Sequence, residues 1–398
     1  MQNTLTQSAG KPAAALLLLW LSGACLRLTV LAIPPVVPLL HADLHLSETG
    51  IGWLASLPPM LFAIAAVPGA VLIARFGIVP ALVVGLLLNA IGSAVRAAFP
   101  DVLSLYIATI VMAAGVAIMQ PSLPPLVRAW FRHRIGFATA VYTNGLLLGE
   151  IFPVALTIPF VLPLFGDSWR MSFVFWSLPV FLTALLIIVG APKNGGISHA
   201  NTVGRRWWPD WRSPLTWRLG LIFGSVNAMY FVTNAFLPDY VTATGRADLI
   251  SSALTALNVS QLPASFLMLG LAGRLVKQPW AYAATGGLSF LSIVGMLLMP
   301  GFWIVFWAGV LGFANAITLI LALALPSVLS GPDDVHRTSA AMFTISYSLA
   351  MVLSVICGWL WDSTHTPLAG FAPVAACGLV IVALASTVRH AEHPSVAA

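Results

Sequence analysis

Two ionisable residues, Arg27 and Glu150, lie inside long apolar stretches of this 398-residue sequence. Each lies about 13–14 residues into its stretch, about 20 Å along a helix and near the middle of a membrane. A charge at that depth costs on the order of 2.5–3.5 kcal/mol on insertion scales. Charged residues retained there commonly serve a function.

The chemistry of these two side chains indicates recognition of an anion. A guanidinium stays charged and can hold a carboxylate-like or linear anion through two parallel hydrogen bonds. We therefore predict that Arg27 binds substrate and that Glu150 serves coupling, as a counter-ion that the solute displaces or as a proton carrier. The alternative is a structural ion pair that fixes helix packing. In both cases we expect a direct or water-mediated contact between the two residues.

Neutral polar residues supply further candidates for substrate binding. Asn227, Tyr230 and Asn234 recur at i, i+3 and i+7, which puts them on one face of a helix. Each could equally donate hydrogen bonds between helices, a common role of polar residues in membranes. The other candidates are Gln120, Asn315 and Tyr347, chosen from a wider set that includes Asn144, Asn258, Gln261, Thr318 and Ser346.

These residues must be positioned by membrane-spanning helices, because the composition excludes a soluble protein. Hydrophobic residues make up 59 % of the chain and charged residues 8 %, whereas soluble domains carry about 25 % charged residues. A spanning helix needs about 20 mostly apolar residues. The sequence predicts an all-α integral membrane protein with twelve such helices, at residues 14–40, 49–74, 79–98, 102–127, 136–163, 170–191, 215–240, 249–274, 280–299, 302–328, 338–361 and 368–388.

A polar stretch divides the twelve spans into two groups of six. The predicted domains are an N-terminal six-helix bundle over 1–191, a cytoplasmic linker over 192–214 and a C-terminal six-helix bundle over 215–398. Two parallel six-helix repeats are typical of many secondary transporters. Three pairs of residues recur at nearly one offset and support a duplication: Pro38 with Pro238, Arg75 with Arg274, and Arg134 with Arg337.

The basic residues predict the orientation of the chain, since cytoplasmic loops carry an excess of Lys and Arg. With the N-terminus inside, fourteen of the 18 Lys and Arg residues fall on the cytoplasmic side. Arg96, Arg170 and Arg246 would face outward, and Arg27 lies within the membrane. We therefore predict a multi-pass protein of a bacterial inner membrane with both termini in the cytoplasm.

Other chemistries lack the residues that they need. Cys25, Cys357 and Cys377 lie in apolar stretches without the spacing of a disulfide framework or a metal site. The acid pair Asp333–Asp334 beside His336 is typical of a solvated loop rather than of an active site. We predict that the protein is not an enzyme, holds no metal or cofactor and does not bind nucleic acid.

The 6+6 pattern resembles the major facilitator superfamily over the whole chain. Several short motifs resemble its bacterial cyanate and 2-nitroimidazole transporter subfamily. These are Arg27 with Pro34–Pro35 and Pro38, Leu46–Ser47 with Gly50 and Leu57–Pro58, Gly136–Tyr142, Trp169–Arg170, Arg212–Pro214 with Trp217, and Leu237–Pro238. In this fold, spans 1, 4, 7 and 10 commonly line the cavity, which implies lining positions for Arg27, Gln120, Asn227 and Asn315.

The residues and the resemblance together predict a monomeric secondary active transporter. It moves a small polar solute across the inner membrane by alternating access, with proton coupling as one option. The solute would be a small anion such as cyanate or a carboxylate, or a polar azole such as a nitroimidazole. The alternative is a multidrug/proton antiporter that exports lipophilic compounds.

Overall fold

The structure, a computed structural model, describes residues 10–46, 48–99, 101–192 and 208–389. The first nine residues, Ser47, Pro100, most of the predicted linker (with Lys193, Arg205 and Arg206) and residues 390–398 lie outside the described residues. The side chains of Lys11 and Pro38 and the surroundings of Gly50 are not described either. Every regular element among the described residues is a helix. The predicted all-α fold class is therefore confirmed.

The first of two compact units comprises Met1–Pro209 and Gly331–Ala340. A short 3-10 turn at Pro34–Val36 precedes its second helix, and a π-helical turn at Thr157–Val161 follows its sixth. Its helices are α1 (Gly10–Cys25), α2 (Val37–Leu44), α3 (Glu48–Phe76), α4 (Ile78–Val95), α5 (Val102–Trp130), α6 (Ile135–Leu156), α7 (Leu162–Leu164) and α8 (Trp169–Gly190).

The second compact unit comprises Asp210–Ser330 and Ala341–Ala398. The helix Val335–Thr364 belongs to this unit except for its first residues, Val335 to Ala340, which group with the first unit. The helices are α9 (Pro214–Ala243), α10 (Ile250–Val259), α11 (Gln261–Leu275), α12 (Pro279–Leu298), α13 (Phe302–Leu329), α14 (Val335–Thr364) and α15 (Pro367–Ala385). The predicted domain boundaries at 191 and 215 stay a proposal.

Ten helical segments of the described chain are long and apolar enough to cross a membrane, and their ends lie within three residues of the predicted ones. An eleventh is the pair Leu57–Ile64 and Ala66–Phe76, which bends by 49° within α3, a helix that contains Pro58, Pro59 and Pro68. The remaining apolar helix, Ala13–Cys25, is too short to span alone. The total of twelve spans thus stays a prediction, because the first two predicted spans are not single long helices in the described chain.

The first predicted span is wrong as a single helix over 14–40. The α-helical ladder ends at Cys25, residues 26–33 form turns, and helical structure resumes from Pro34 to Leu44. The amides of Leu26 and Arg27 bond to carbonyls three residues back, at 3.1 and 3.0 Å, rather than four. Pro34 and Pro35 extend the interruption, because they lack the amide N–H groups that would bond to the carbonyls of Val30 and Leu31.

Small residues bring the helices of the first unit into close contact. A Cβ on Gly115 of α5 would lie 2.4 Å from the amide nitrogen of Asn89 and 2.5 Å from the carbonyl oxygen of Gly85, both in α4. Glycine at such positions is a common way for membrane helices to pack, because lipid provides no hydrophobic driving force between them. The backbones of α4 and α5 therefore touch directly, and this contact fixes the helix that carries Asn89.

Candidate functional site

Helices α1 and α6 bring the two predicted charges together. Gly145 and Gly149 form a G-x-x-x-G pattern on α6, and their hydrogens face the backbone of α1. A Cβ on Gly145 would lie 2.2 Å from the carbonyl oxygen of Trp20, and one on Gly149 would lie 2.3 Å from that of Ala24. This close approach places Glu150, the next residue of α6, beside the turn that carries Arg27.

Arg27 and Glu150 form an ion pair. The Arg27 Nε lies 3.1 Å from Glu150 Oε1, and the two side chains are 12 % and 17 % exposed. The Arg27 guanidinium also faces the ring of Phe62 on α3, with its carbon 5.8 Å from the ring centroid. The predicted contact between Arg27 and Glu150 is confirmed, while their roles stay predictions.

A hydrogen bond supports the same helix contact one turn earlier. The indole nitrogen of Trp20 donates to Asn144 Oδ1 over 3.0 Å. Asn144, one of the wider set of sequence candidates, precedes the first glycine of the G-x-x-x-G pattern. Because this bond joins α1 to α6 on the side of the charges, it fixes the register of the ion pair.

The interruption of the first span frees backbone carbonyls, and side chains of α4 and of Arg96, the residue that follows α4, bind two of them. Asn89 Nδ2 donates to the Cys25 carbonyl oxygen over 2.8 Å, and Asn89 Oδ1 accepts from the Thr29 hydroxyl over 2.6 Å. One Arg96 nitrogen, Nη2, donates to the Thr29 carbonyl oxygen over 2.9 Å and to Ser93 Oγ over 2.7 Å. Such bonds satisfy polar groups that burial would otherwise leave unpaired.

The structure buries the side chain of Arg96, which is only 1 % exposed, whereas its place on the outer side of the membrane stays a prediction. Its guanidinium carbon lies 4.2 Å from the ring centroid of Phe173 on α8. Counting basic residues at the ends of spans cannot detect this, because the covering contacts come from Thr29 and Phe173, both distant in sequence. Asn89 and Arg96 are the residues that sequence reasoning missed, and a polar pair seven residues apart in an apolar helix is the signal that could have found them.

Asp43 forms a second ion pair just beyond the predicted outer end of the first span. Arg170 Nη2 and the indole Nε1 of Trp169 both donate to Asp43 Oδ2, over 2.9 and 3.0 Å. The hydrogen bond from Arg170, helped by that from Trp169, lowers the pKa of the Asp43 carboxyl below its usual range. The Trp169–Arg170 motif therefore has a structural use, because it joins α8 to α2.

The three polar residues on α9 contact two different helices. Asn227 Nδ2 donates to Ser346 Oγ on α14 over 2.7 Å. The Tyr230 hydroxyl donates to Asn258 Oδ1 on α10 over 3.1 Å, and Asn258 Nδ2 donates to Asn234 Oδ1 over 2.9 Å. The described contacts are those expected for interhelical hydrogen bonding, the alternative that the sequence left open.

The remaining candidates are buried, two in the second unit and one in the first. In the second unit, Asn315 Oδ1 on α13 accepts a 3.4 Å hydrogen bond from Ser289 on α12, and Tyr347 packs with the rings of Phe231 and Phe343. In the first unit, Gln120 lies on α5 with 3 % exposure, and its Oε1 has no hydrogen-bond partner among the described residues. Within the first unit, the structure thus unites Arg27 with Glu150.

No cluster of three or more His, Cys, Asp or Glu side chains suited to a metal ion occurs in the described part of the chain. The three cysteines are buried and unbonded to one another. The arrangement that can perform chemistry is therefore the ion pair. A guanidinium has five N–H donors in a planar fork, so an anionic group of a solute can bind Arg27 in exchange for the carboxylate of Glu150.

Comparison with known proteins agrees with this architecture. The chain is 26 % identical over 355 residues to the 2-nitroimidazole transporter of Escherichia coli (strain K12), covering 87 % of this chain and 88 % of that protein. It is 25 % identical over 377 residues to the cyanate transport protein CynX of the same organism, covering 93 % and 96 % of the two chains.

The fold is also that of a solved transporter structure. The proton:xylose symporter XylE superposes with a TM-score of 0.75 at 14 % sequence identity, over 95 % of each chain. At that identity the likeness concerns the fold alone. The family model of the Major Facilitator Superfamily matches residues 19–355, which is most of the sequence. The chain therefore belongs to the Major Facilitator Superfamily of multi-pass membrane transporters, and it resembles the cyanate and 2-nitroimidazole transporters at modest identity.

Proposed function

We propose that this protein is a secondary active transporter that moves a small polar solute, preferentially an anion, across a bacterial inner membrane by alternating access. The observation that carries this proposal is the Arg27–Glu150 ion pair at the interruption of the first span. Two relatives are named for cyanate and 2-nitroimidazole, and both of these solutes are small and polar. The orientation with both termini in the cytoplasm and the monomeric state belong to the same proposal.

Arg27 recognises the solute in this proposal. Its position after the last full turn of α1 leaves the side chain at the end of a helix rather than within a packed ladder. Its partial exposure means that the pair is not sealed by neighbouring side chains of its own unit. A linear or planar anion can take the place of the carboxylate and accept charge-assisted hydrogen bonds from the guanidinium.

Glu150 provides coupling in this proposal. When a solute displaces it from Arg27, the carboxylate becomes a buried charge without its cation, which is unfavourable in an apolar surrounding. Uptake of a proton neutralises it. Solute binding and protonation are then linked, and the two travel together. If Glu150 is instead only a structural partner, transport depends on it through stability and not through a proton gradient.

The test is counterflow of radiolabelled cyanate in proteoliposomes that contain the purified protein. We expect exchange by the wild type, loss of exchange in Arg27→Ala and partial activity in Arg27→Lys, which keeps the charge without the planar fork. Arg170→Ala is the matched control, because it removes an arginine of the same unit from an ion pair with Asp43. Normal exchange by correctly inserted Arg27→Ala would refute the assignment.

The role of Glu150 is tested in the same vesicles. Glu150→Gln keeps the shape of the side chain and removes its proton-binding carboxylate. We expect this variant to retain counterflow, which needs no net driving force, and to lose accumulation driven by an imposed pH gradient. Accumulation at the wild-type level would exclude Glu150 as the coupling residue. Transport of lipophilic drugs that survives Arg27→Ala would favour the exporter instead.

A further inference from the structure

The described charges buried in the first unit do not balance. Arg27 is paired with Glu150, but no carboxylate among the described side chains, which leave out Glu48, lies within ion-pairing distance of Arg96. Two Arg96 nitrogens, Nε and Nη1, have no hydrogen-bond partner there either. Among the described side chains, these two cations and one carboxylate leave an excess of one positive charge, or of two if Glu150 binds a proton.

Arg96 forms a hydrogen bond with the interrupted turn that carries Arg27. Its Nη2 holds the carbonyl oxygen of Thr29, two residues after Arg27, and Asn89 holds the carbonyl of Cys25, two residues before it. The interrupted turn is therefore bound on both sides of Arg27, by Asn89 of α4 and by Arg96, which follows α4. A change at Arg96 acts on Arg27 through this turn and through its own charge, without a contact between Arg96 and a solute.

The groups around Arg96 offset the energetic cost of burying its charge only in part. The Phe173 ring, the Thr29 carbonyl and the Ser93 hydroxyl offer dipoles and a quadrupole, not a formal negative charge. A charge in a medium of low effective dielectric acts over longer distances than it does in water. A buried cation without a counter-ion is unfavourable until an anion arrives. An anionic solute at Arg27 would supply that counter-charge.

We propose that the site binds its solute as a monoanion, and that Arg96 is the specificity-determining residue that sets this charge while positioning Arg27. The inference rests on the proposed function and names the substrate class of the same site. Cyanate is a linear monoanion. The nitro group of 2-nitroimidazole withdraws electrons and makes the ring N–H acidic, so this azole can release that proton to solvent and bind as a planar, delocalised azolate.

The first experiment compares the binding of 2-nitroimidazole, 1-methyl-2-nitroimidazole and cyanate to the wild-type protein in detergent between about pH 6 and 9. The methyl group replaces the acidic proton and keeps the ring neutral. Cyanate is an anion throughout this range, so any proton that Glu150 takes up affects the binding of cyanate and of azolate equally. The ratio of the 2-nitroimidazole affinity to the cyanate affinity should therefore rise by about tenfold per pH unit below the ring pKa and level off above it. The methylated azole should not bind at any pH in this range.

The second experiment measures cyanate binding in two variants of Arg96. Arg96→Met removes the charge and keeps an apolar chain, and we expect the affinity for cyanate to fall by about tenfold or more, as for a lost charge interaction in a partly buried site. Arg96→Lys keeps the charge, so we expect it to recover most of that loss. A purely structural role would make both variants lose affinity equally. If Arg96→Met does not fold, a cyanate affinity of Arg96→Lys close to that of the wild type supports the charge role and a loss of tenfold or more overturns it, while the wild-type pH profile tests the monoanion separately.

The outcomes separate this inference from the function on which it rests. Binding of the neutral methylated azole that depends on Arg27 would overturn the monoanion inference and leave the transporter assignment intact. Cyanate affinity that is unchanged in folded Arg96→Met would overturn the role of Arg96. Absence of binding of cyanate and of both azoles to the wild-type protein would overturn the proposed function itself.

Discussion

The contact between α1 and α6 makes a sharp prediction for Gly149. The Cβ of an alanine there would lie 2.3 Å from the Ala24 carbonyl oxygen and 2.8 Å from the Ala24 Cα, whereas ordinary contact begins at 3.4 Å. Both obstacles are backbone atoms that cannot rotate away. The two helices must therefore separate by about 1.1 Å to accept the methyl group.

Two costs follow from this separation. Overpacking of a tight contact costs about 1–3 kcal/mol. If the side chains do not adjust, the distance from Arg27 Nε to Glu150 Oε1 grows from 3.1 Å to about 4.2 Å. At an effective dielectric of about 20, this weakens the Coulomb attraction by about 1.4 kcal/mol. Gly149→Ala should therefore destabilise the protein by about 2–4 kcal/mol.

The assay is thermal unfolding of the purified protein in detergent. Gly270→Ala on α11 is the matched control, because its Cβ would meet no atom within 4 Å, and alanine there gains up to about 1 kcal/mol in helix propensity. We expect a clear drop in unfolding temperature for Gly149→Ala and no drop for the control. Equal unfolding temperatures of Gly149→Ala and the wild type would refute the close-packed α1–α6 contact as the frame of the ion pair.

Three further predictions concern polar contacts. Arg27→Met and Glu150→Leu should each destabilise the protein by about 3–5 kcal/mol, and the double variant by less than the sum of the two, because each single change leaves a buried charge alone; additive losses in thermal unfolding would contradict the pair. The pKa of Asp43 is lower in the folded protein than in the unfolded chain, so ionised Asp43 stabilises the fold above the unfolded pKa and this stability is lost as the pH falls through the folded pKa. In unfolding scans at acid pH, Asp43→Asn should lose less stability than the wild type. Equal losses in the two proteins would contradict this prediction. Asn258→Ala should cost about 1–3 kcal/mol because Asn234 loses its hydrogen-bond donor, which unfolding measurements can check.

Hydropathy predicts the fold of this chain well, because the signal for a membrane helix is local. Ten spans begin and end near the residues at which the apolar runs begin and end. The prediction fails at the first span, where residues 26–33 are apolar enough to continue a helix but the ladder stops. Apolar composition reports the environment of a segment and not its hydrogen bonds, and the side chains that bind the freed carbonyls lie on α4 and, for Arg96, directly after it.

The candidate site, too, could be predicted from the sequence only in part. Arg27 and Glu150 stand out because a charge in an apolar run is rare, and their pairing is confirmed by the structure. The set on α9 has helical periodicity, but periodicity does not identify the neighbour: Asn227 contacts Ser346, whereas Tyr230 contacts Asn258. Such contacts depend on how helices distant in sequence pack, which a local pattern cannot encode.

The central claim, that Arg27 recognises the solute, is tested most directly by ligand-induced stabilisation of the wild type and Arg27→Ala. Purified protein in detergent is heated with small anions, polar azoles and lipophilic drugs in turn. A ligand at about 100 times its dissociation constant stabilises the folded state by about 2.7 kcal/mol. We predict that a small anion or azole stabilises the wild type and that this effect disappears in Arg27→Ala. Stabilisation by many lipophilic compounds that persists in Arg27→Ala would contradict the claim and indicate an exporter in which Arg27 and Glu150 are a structural pair.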